Sequence, residues 1–98
     1  MGRKVIITDP AVEDLGAIVS HIARDNPRAA ARLGNDLLDQ ALLLGTFPLR
    51  GTVYGPDPAI RKLGHRGYKI FYHIPPDTAA IEVLHFWHAA RREPDLAS

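Results

Sequence analysis

Basic and imidazole side chains are concentrated in the second half of this sequence. Residues 58–92 carry six bases but only two acids, a net charge of +4, and they hold four of the five histidines. The bases are Arg61, Lys62, Arg66, Lys69, Arg91 and Arg92, and the histidines are His65, His73, His85 and His88. Such cations bind carboxylates and phosphates. The pattern therefore predicts a negatively charged partner, either an acidic peptide or a nucleic acid.

The same side chains also meet the chemical requirements of metal-free RNA cleavage. In that reaction a base activates the 2′-hydroxyl, an acid protonates the leaving oxygen and cations stabilise the phosphorane. His88 or Tyr68 could transfer the protons, and imidazole is well suited to this near neutral pH. The available cations are Arg61, Lys62, Arg66, Arg91 and Arg92. The competing interpretation is that these arginines are ordinary solvated surface charges.

Several other kinds of site are disfavoured. The sequence has no cysteine, which excludes thiolate catalysis, disulfides and cysteine-ligated zinc. Its glycines match neither a phosphate-binding loop nor a dinucleotide fingerprint. His73, His85 and His88 are not expected to share a metal, because His85 and His88 lie three residues apart on a predicted strand and point to opposite faces. We therefore expect neither a metal nor a cofactor.

The chain has 98 residues, which predicts one domain over residues 1–98, with a loose tail from about residue 93 to 98. The apolar run near the N-terminus is too short for a signal peptide, and no run approaches the length of a membrane span. We therefore expect a cytoplasmic protein without membrane contacts. The sequence pI near 8.2 is lower than a general nucleic-acid-binding domain usually shows.

Hydrophobic spacing predicts one strand and two helices in the first half. Residues 4–8 are β-branched and typical of a short strand. Asp9-Pro10 is expected to begin the first helix, and Asn26-Pro27 the second. The apolar residues of both helices recur at spacings of three and four. The short connection between the helices makes them antiparallel neighbours.

Three strand-like runs follow a glycine- and proline-rich loop over residues 47–58. They cover residues 59–65, 67–74 and 80–87, and the turns between them predict antiparallel hairpins. The resulting β-α-α-β-β-β order is typical of an α+β domain, with a helical hairpin packed on one face of a small antiparallel sheet.

Two helices can cover only one face of that sheet. The second face is expected to expose aromatic and basic groups together, as a partner-binding surface does. The residues predicted for this surface are Lys69, Phe71, His73, Leu84, Phe86 and Trp87. The alternative is that the loop over residues 46–58 and the C-terminal tail fold over this face.

Five short segments carry a family resemblance through their order and spacing. They are 9–15, 25–30, Phe47-Pro48, the strand over 67–72 and the ending over 83–92. No segment is specific alone, but together they run from about residue 4 to about residue 95. In this combination the sequence resembles the ParE-like toxins of the ParE/RelE superfamily.

The resemblance implies the toxin of a type II toxin–antitoxin, or plasmid stabilisation, module. Such a toxin is neutralised by a cognate antitoxin, whose disordered C-terminal segment folds along the toxin. A hetero-oligomer is therefore expected, in which operator DNA is contacted only indirectly, through the antitoxin. The six residues predicted for the second face are the expected antitoxin-binding residues, and the helical hairpin is the other expected docking surface.

The resemblance leaves two possible targets. ParE-like members are implicated in inhibiting DNA gyrase, whereas RelE-like members cleave messenger RNA on the ribosome. RelE-like toxins often place a tyrosine close to the C-terminus, and no tyrosine follows Tyr72 here, which favours gyrase and a protein that is not an enzyme. The predicted target-binding residues are Arg61, His88, Arg91 and Arg92. If the chain is a nuclease, the expected catalytic residues are Arg61, Arg66, Tyr68, His88 and Arg91. An orphan toxin that only binds an antitoxin is a further alternative.

Overall fold

The computed structural model describes residues 2–77 and 80–96. The elements are β1 (Val5–Ile7), α1 (Asp9–Ala23), α2 (Pro27–Leu43), β2 (Thr52–Tyr54), β3 (Asp57–His65), β4 (Tyr68–His73) and β5 (Ile81–His88). The strands form one sheet in the order β1-β5-β4-β3-β2, and all neighbouring strands are antiparallel except β1 and β5. The α+β class and the helical hairpin on a small sheet are confirmed.

Two features of the sheet differ from the sequence prediction. The loop over residues 47–58 contains the short strand β2, which pairs with β3, and the sheet is mixed because β1 runs parallel to β5. The pairing of β1 with β5 joins residues 76 positions apart, such as Val5 and Ile81, so local propensity could not reveal it. β2 pairs with its sequence neighbour β3, but its three residues lie among glycines and prolines that favour a loop. Neither α1 nor α2 is long and apolar enough to cross a membrane.

Capping residues set where the helices begin. In α2 the side-chain oxygen of Asn26 accepts a hydrogen bond from the Ala29 amide at 3.1 Å, as expected for an N-cap. In α1 the N-cap is Thr8, so the helix begins at Asp9, one residue earlier than predicted. The Thr8 hydroxyl donates to the Val83 carbonyl oxygen at 2.7 Å. It therefore ties the entrance of α1 to β5 instead of capping the helix.

An apolar core lies between the helices and one face of the sheet. Ile70 and Tyr72 of β4 point into it, as the alternation in that strand predicts. Its buried members are at most 2% exposed: Ala11, Leu37, Ala41, Leu44, Ile70, Tyr72, Ile81, Val83 and Phe86. The core therefore fixes which face of the sheet is left for other contacts.

A β-bulge in β5 reverses the expected direction of several side chains. Phe71 pairs with His85, but Tyr72 pairs with Val83, so Leu84 is the extra residue. Phe86 consequently lies in the core at 2% exposure, while Leu84 packs on the second face. The prediction that Phe86 belongs to the second face was wrong, because period-two alternation does not continue through a bulge.

Residues 89–96, here called the C-terminal strap, fold back over the second face of the sheet. The Tyr54 hydroxyl donates to the Pro94 carbonyl oxygen at 2.9 Å and accepts from the Leu96 amide at 3.3 Å. The Leu96 side chain packs against a small apolar cluster that contains Phe71, which is 0% exposed. The second face is therefore not bare. The last predicted tail residues, 97 and 98, lie outside the described residues.

Candidate functional site

One carboxylate joins the C-terminal strap to two lysines on the sheet. Oε2 of Glu93 accepts hydrogen bonds from Nζ of Lys62 on β3 and from Nζ of Lys69 on β4, each at 2.8 Å. These two bonds lower the pKa of Glu93 below its ordinary value, against a smaller opposing effect of desolvation. The carboxylate therefore stays ionised at neutral pH and neutralises part of the positive charge of the second face.

Trp87 joins the strap to β5. Its indole Nε1 donates to the Arg92 carbonyl oxygen at 2.9 Å, and the guanidinium carbon of Arg91 lies 3.8 Å from the ring centroid. This is the geometry of a cation–π contact. Trp87, predicted to bind the antitoxin, therefore positions two arginines predicted to bind the target, and both arginines are exposed.

His88 and Tyr68 lie side by side where β4 and β5 meet at one end of the sheet. They are register partners, and their ring centroids are 5.2 Å apart in an edge-to-face arrangement. Nδ1 of His88 accepts from the Ala90 amide at 3.1 Å, so in the neutral ring Nε2 carries the proton. The structure thus brings together the two residues predicted to transfer protons.

Arg66 lies in the tight turn between β3 and β4. Arg66 and Gly67 both have positive φ, of 50° and 81°, as a two-residue hairpin turn requires. Nε of Arg66 is 2.6 Å from Oδ2 of Asp36, and His65 Nε2 is 2.8 Å from the same oxygen. The bond to His65 is the main reason that the pKa of Asp36 is lowered. This contact fastens the hairpin to α2.

Arg61 lies apart from these groups. It pairs with Tyr72 across β3 and β4, and its Nη1 donates to the Gly51 carbonyl oxygen at 2.7 Å. His65, at the Tyr68 end of β3, is four residues further along, which corresponds to roughly 13 Å of strand. Arg61 therefore does not lie close to the other four residues predicted for a nuclease. Its hydrogen bond instead holds the loop before β2 in place.

Tyr72 holds the same loop from the core. Its hydroxyl donates to the Pro48 carbonyl oxygen at 2.7 Å and accepts from the Gly51 amide at 3.0 Å. Burial raises the pKa of Tyr72, so the hydroxyl keeps the proton that it donates. Tyr72 and Arg61 together fix the loop over residues 48–51, an arrangement that the strand pattern alone did not predict.

That loop carries an apolar surface which the sequence analysis missed. Phe47 and Leu49 are 57% and 68% exposed. They belong to an open depression lined by Leu43, Phe47, Pro48, Leu49 and Arg50. The available signal was an apolar run directly after α2 with no element of its own to bury it.

His73 and His85 are each paired with a carboxylate. Nδ1 of His73 lies 2.9 Å from Oε1 of Glu82. Nδ1 of His85 lies 2.7 Å from Oδ2 of Asp14, which also accepts from the Phe86 amide at 3.2 Å. Within residues 2–77 and 80–96, no three such groups come together in a way that could hold a metal ion.

The predicted antitoxin-binding residues are thus divided by the fold. Lys69, Phe71 and His73 share the second face with Leu84 and Trp87. Phe71 is fully buried beneath the strap and its neighbours. A partner that binds this face must therefore either contact the C-terminal strap or displace it.

Similarity to known proteins agrees with this architecture. The family profile described as ParE toxin of type II toxin-antitoxin system, parDE, matches residues 5–93. A comparison with curated proteins gave no significant match.

Two solved structures share the fold. A chain from the chromosomal ParDE toxin–antitoxin system of P. aeruginosa has a TM-score of 0.74 and 21% identity, over 88% of this chain and 95% of that one. A chain from the toxin–antitoxin complex RelBE2 of Mycobacterium tuberculosis has a TM-score of 0.67 and 20% identity, over 90% of this chain and 99% of that one. Because the family profile spans nearly the whole chain, this protein belongs to the ParE toxin family of type II toxin–antitoxin systems.

Proposed function

We propose that this toxin acts in the cytoplasm by inhibiting DNA gyrase, as part of a stabilisation module. The supporting observation is the grouping of His88, Arg91 and Arg92, which are all exposed at the end of β5 and the beginning of the C-terminal strap. A basic exposed surface of this kind binds a target by charge and shape. Arg61, by contrast, is committed to the Gly51 carbonyl oxygen, so the predicted nuclease residues do not form one catalytic group.

We propose further that a cognate antitoxin neutralises the toxin by binding its surface. Both structures of similar fold come from toxin–antitoxin systems, and the charge excess of residues 58–92 fits an acidic antitoxin segment. Operator DNA is then reached only through the antitoxin.

A DNA supercoiling assay with purified gyrase tests the target. The unaltered chain is expected to inhibit supercoiling, and the double variant Arg91→Ala, Arg92→Ala is expected to require at least tenfold more protein for the same inhibition. The matched control removes the same charge from the helices, as Arg24→Ala with Arg28→Ala, and should inhibit normally. Equal inhibition by both double variants would refute a role for the exposed arginines after β5.

Messenger RNA cleavage is the second candidate, favoured by the contact between Tyr68 and His88. In that mechanism His88 would act as an imidazolium that donates its Nε2 proton to the leaving oxygen, and its Nδ1 could then no longer accept the hydrogen bond from the Ala90 amide. Purified toxin incubated with translating ribosomes separates the two functions. Codon-specific cleavage that is lost in His88→Ala would establish the nuclease and contradict the gyrase proposal. An orphan toxin would affect neither assay and would leave growth unchanged when expressed alone.

A further inference from the structure

We infer that the surface beneath the C-terminal strap is a peptide-binding site, and that an acidic, extended segment of the antitoxin occupies it by displacing the strap. The inference rests on the proposed antitoxin partner. It goes further by identifying the site, the chemistry of the peptide and the competing segment of the toxin itself.

The charged part of this site is the pair of lysines. Lys62 and Lys69 come from neighbouring strands, and both place Nζ at 2.8 Å from the same oxygen of Glu93. Their side chains are 29% and 27% exposed, so they are only partly solvated. Without a carboxylate, two lysines would face each other at short range. A ligand that brings a carboxylate to this point is therefore favoured over one that does not.

The main-chain part of the site is the Tyr54 hydroxyl. It donates to the Pro94 carbonyl oxygen and accepts from the Leu96 amide. These contacts involve main-chain groups of the strap, which any extended peptide possesses. The hydroxyl therefore recognises the conformation of the peptide rather than its sequence, so a segment of another chain can take the same place.

The apolar part of the site accepts one side chain, three residues after the carboxylate. Leu96 packs against the cluster formed by Tyr54, Ile60 and Phe71. Asp95, which lies between Glu93 and Leu96, has an exposed side chain. The strap thus defines the ligand as an extended segment with an acid and, three residues later, an aliphatic residue, and the position just before the aliphatic residue faces solvent.

The strap is held weakly enough to be exchanged. Residues 89–96 form neither a helix nor a strand, and each partly exposed ion pair of Glu93 contributes about 0.2–1 kcal/mol. The strap competes well against a free peptide because it is covalently attached, which gives it an effective concentration on the order of millimolar. An antitoxin that also binds elsewhere on the toxin gains a similar effective concentration for its own segment, and it can therefore replace the strap.

Binding of a synthetic peptide tests the site itself. The probe is a dye-labelled peptide with the sequence of residues 91–97, and the receptor is the full chain with Glu93→Gln and Leu96→Ser, which weaken its own strap. The variant is expected to bind the probe at least tenfold more tightly than the unaltered chain does. The control receptor is Asp95→Asn, which alters an exposed acid of the strap, and it should bind the probe with the same affinity as the unaltered chain. A probe with glutamine in place of its glutamate should bind at least fivefold more weakly.

Two results would refute the proposal that the surface beneath the strap binds an acidic peptide. One is no binding of the probe to the weakened receptor at concentrations up to a few millimolar. The other is equal binding of the acidic and the glutamine probes. Circular dichroism establishes whether the double variant folds, and Glu93→Gln alone is the second receptor if it does not. Trp87, the only tryptophan, reports strap release through its emission, because its indole N–H is bonded to the strap.

Displacement by the antitoxin is tested with a spin label on the strap. The chain has no cysteine, so Asp95→Cys gives one labelling position. The label is expected to become mobile when the antitoxin is added. If the antitoxin binds while the label stays immobile, the proposal that the strap is displaced is refuted, whereas the proposal that the toxin binds an antitoxin is supported. If the antitoxin does not bind at all, both the partner and the displacement are refuted, while the peptide measurement still decides the site.

Discussion

The hydroxyl of Tyr72 donates a hydrogen bond to the carbonyl oxygen of Pro48 over 2.7 Å. The aromatic ring lies in the core between helices and sheet, whereas Pro48 lies in the loop that joins α2 to β2. A single side chain therefore links the core to the loop that carries the exposed Phe47 and Leu49.

Removing this hydroxyl should destabilise the protein. Tyr72→Phe leaves the Pro48 oxygen and the Gly51 amide without their partner, and an unsatisfied buried polar group costs roughly 1–3 kcal/mol. Urea denaturation should show a free energy of unfolding lower by about this amount. The control is Tyr68→Phe, which removes a hydroxyl at the partly exposed end of the same strand and should change stability by less than about 0.5 kcal/mol. Equal losses for the two variants would contradict the loop-anchoring role of Tyr72.

Arg61→Ala and Arg91→Ala should separate structure from target binding. Arg61→Ala removes the bond to the Gly51 oxygen and should lower the free energy of unfolding by about 1 kcal/mol. Arg91→Ala removes an exposed contact over Trp87, which is expected to cost about 0.5 kcal/mol, but should abolish growth inhibition on induced expression. Growth curves and thermal unfolding of both variants check this. Full toxicity of Arg91→Ala would remove this residue from the target-binding surface.

The stabilising contact of Asp36 should weaken in acid. Its pKa is lowered chiefly by the hydrogen bond to His65, and the charge of Arg66 adds to this. A carboxylate with a lowered pKa in the folded state stabilises it above its ordinary pKa, and that contribution is lost as the pH falls through the lowered value. The difference in urea midpoint between the unaltered chain and Asp36→Asn should therefore be fully present above the ordinary aspartate pKa of 3.8 and should shrink as the pH falls below it.

Asp39→Asn is the matched control for this pH dependence, since Asp39 lies on the same helix with an exposed side chain. Its difference from the unaltered chain should be small at every pH. A constant difference between Asp36→Asn and the unaltered chain from neutral to strongly acid pH would show that the contact does not depend on ionisation of Asp36.

Two helix glycines should respond to alanine with opposite signs. At Gly16 nothing lies within 4 Å of an added Cβ, so Gly16→Ala should stabilise the protein by about 0.5–1 kcal/mol through helix propensity. At Gly34 an added Cβ would lie 2.8 Å from Cγ2 of Val19 on α1, so either the Val19 side chain or the helices must shift. Gly34→Ala should therefore be at least about 1 kcal/mol less stable than Gly16→Ala. Equal thermal midpoints for the two variants would show that the helices do not approach as closely at Gly34.

The local features of the fold could be predicted from the sequence. The apolar spacing of both helices, the Asn26 cap and the turn at Arg66-Gly67 depend on residues a few positions apart. The faces of β4 were also predicted correctly, because Tyr68, Ile70 and Tyr72 alternate regularly with Lys69 and Phe71.

The site depended on contacts between distant residues, which only the tertiary structure decided. The bulge at Leu84 moved Phe86 from the second face into the core. Glu93 reached Lys62 and Lys69, 31 and 24 residues away in sequence, and so closed the strap over a face expected to be open. Periodicity describes the residues next to each other along one element. It contains no information about which distant segment will satisfy the charges, carbonyl groups and apolar surface that the element leaves exposed.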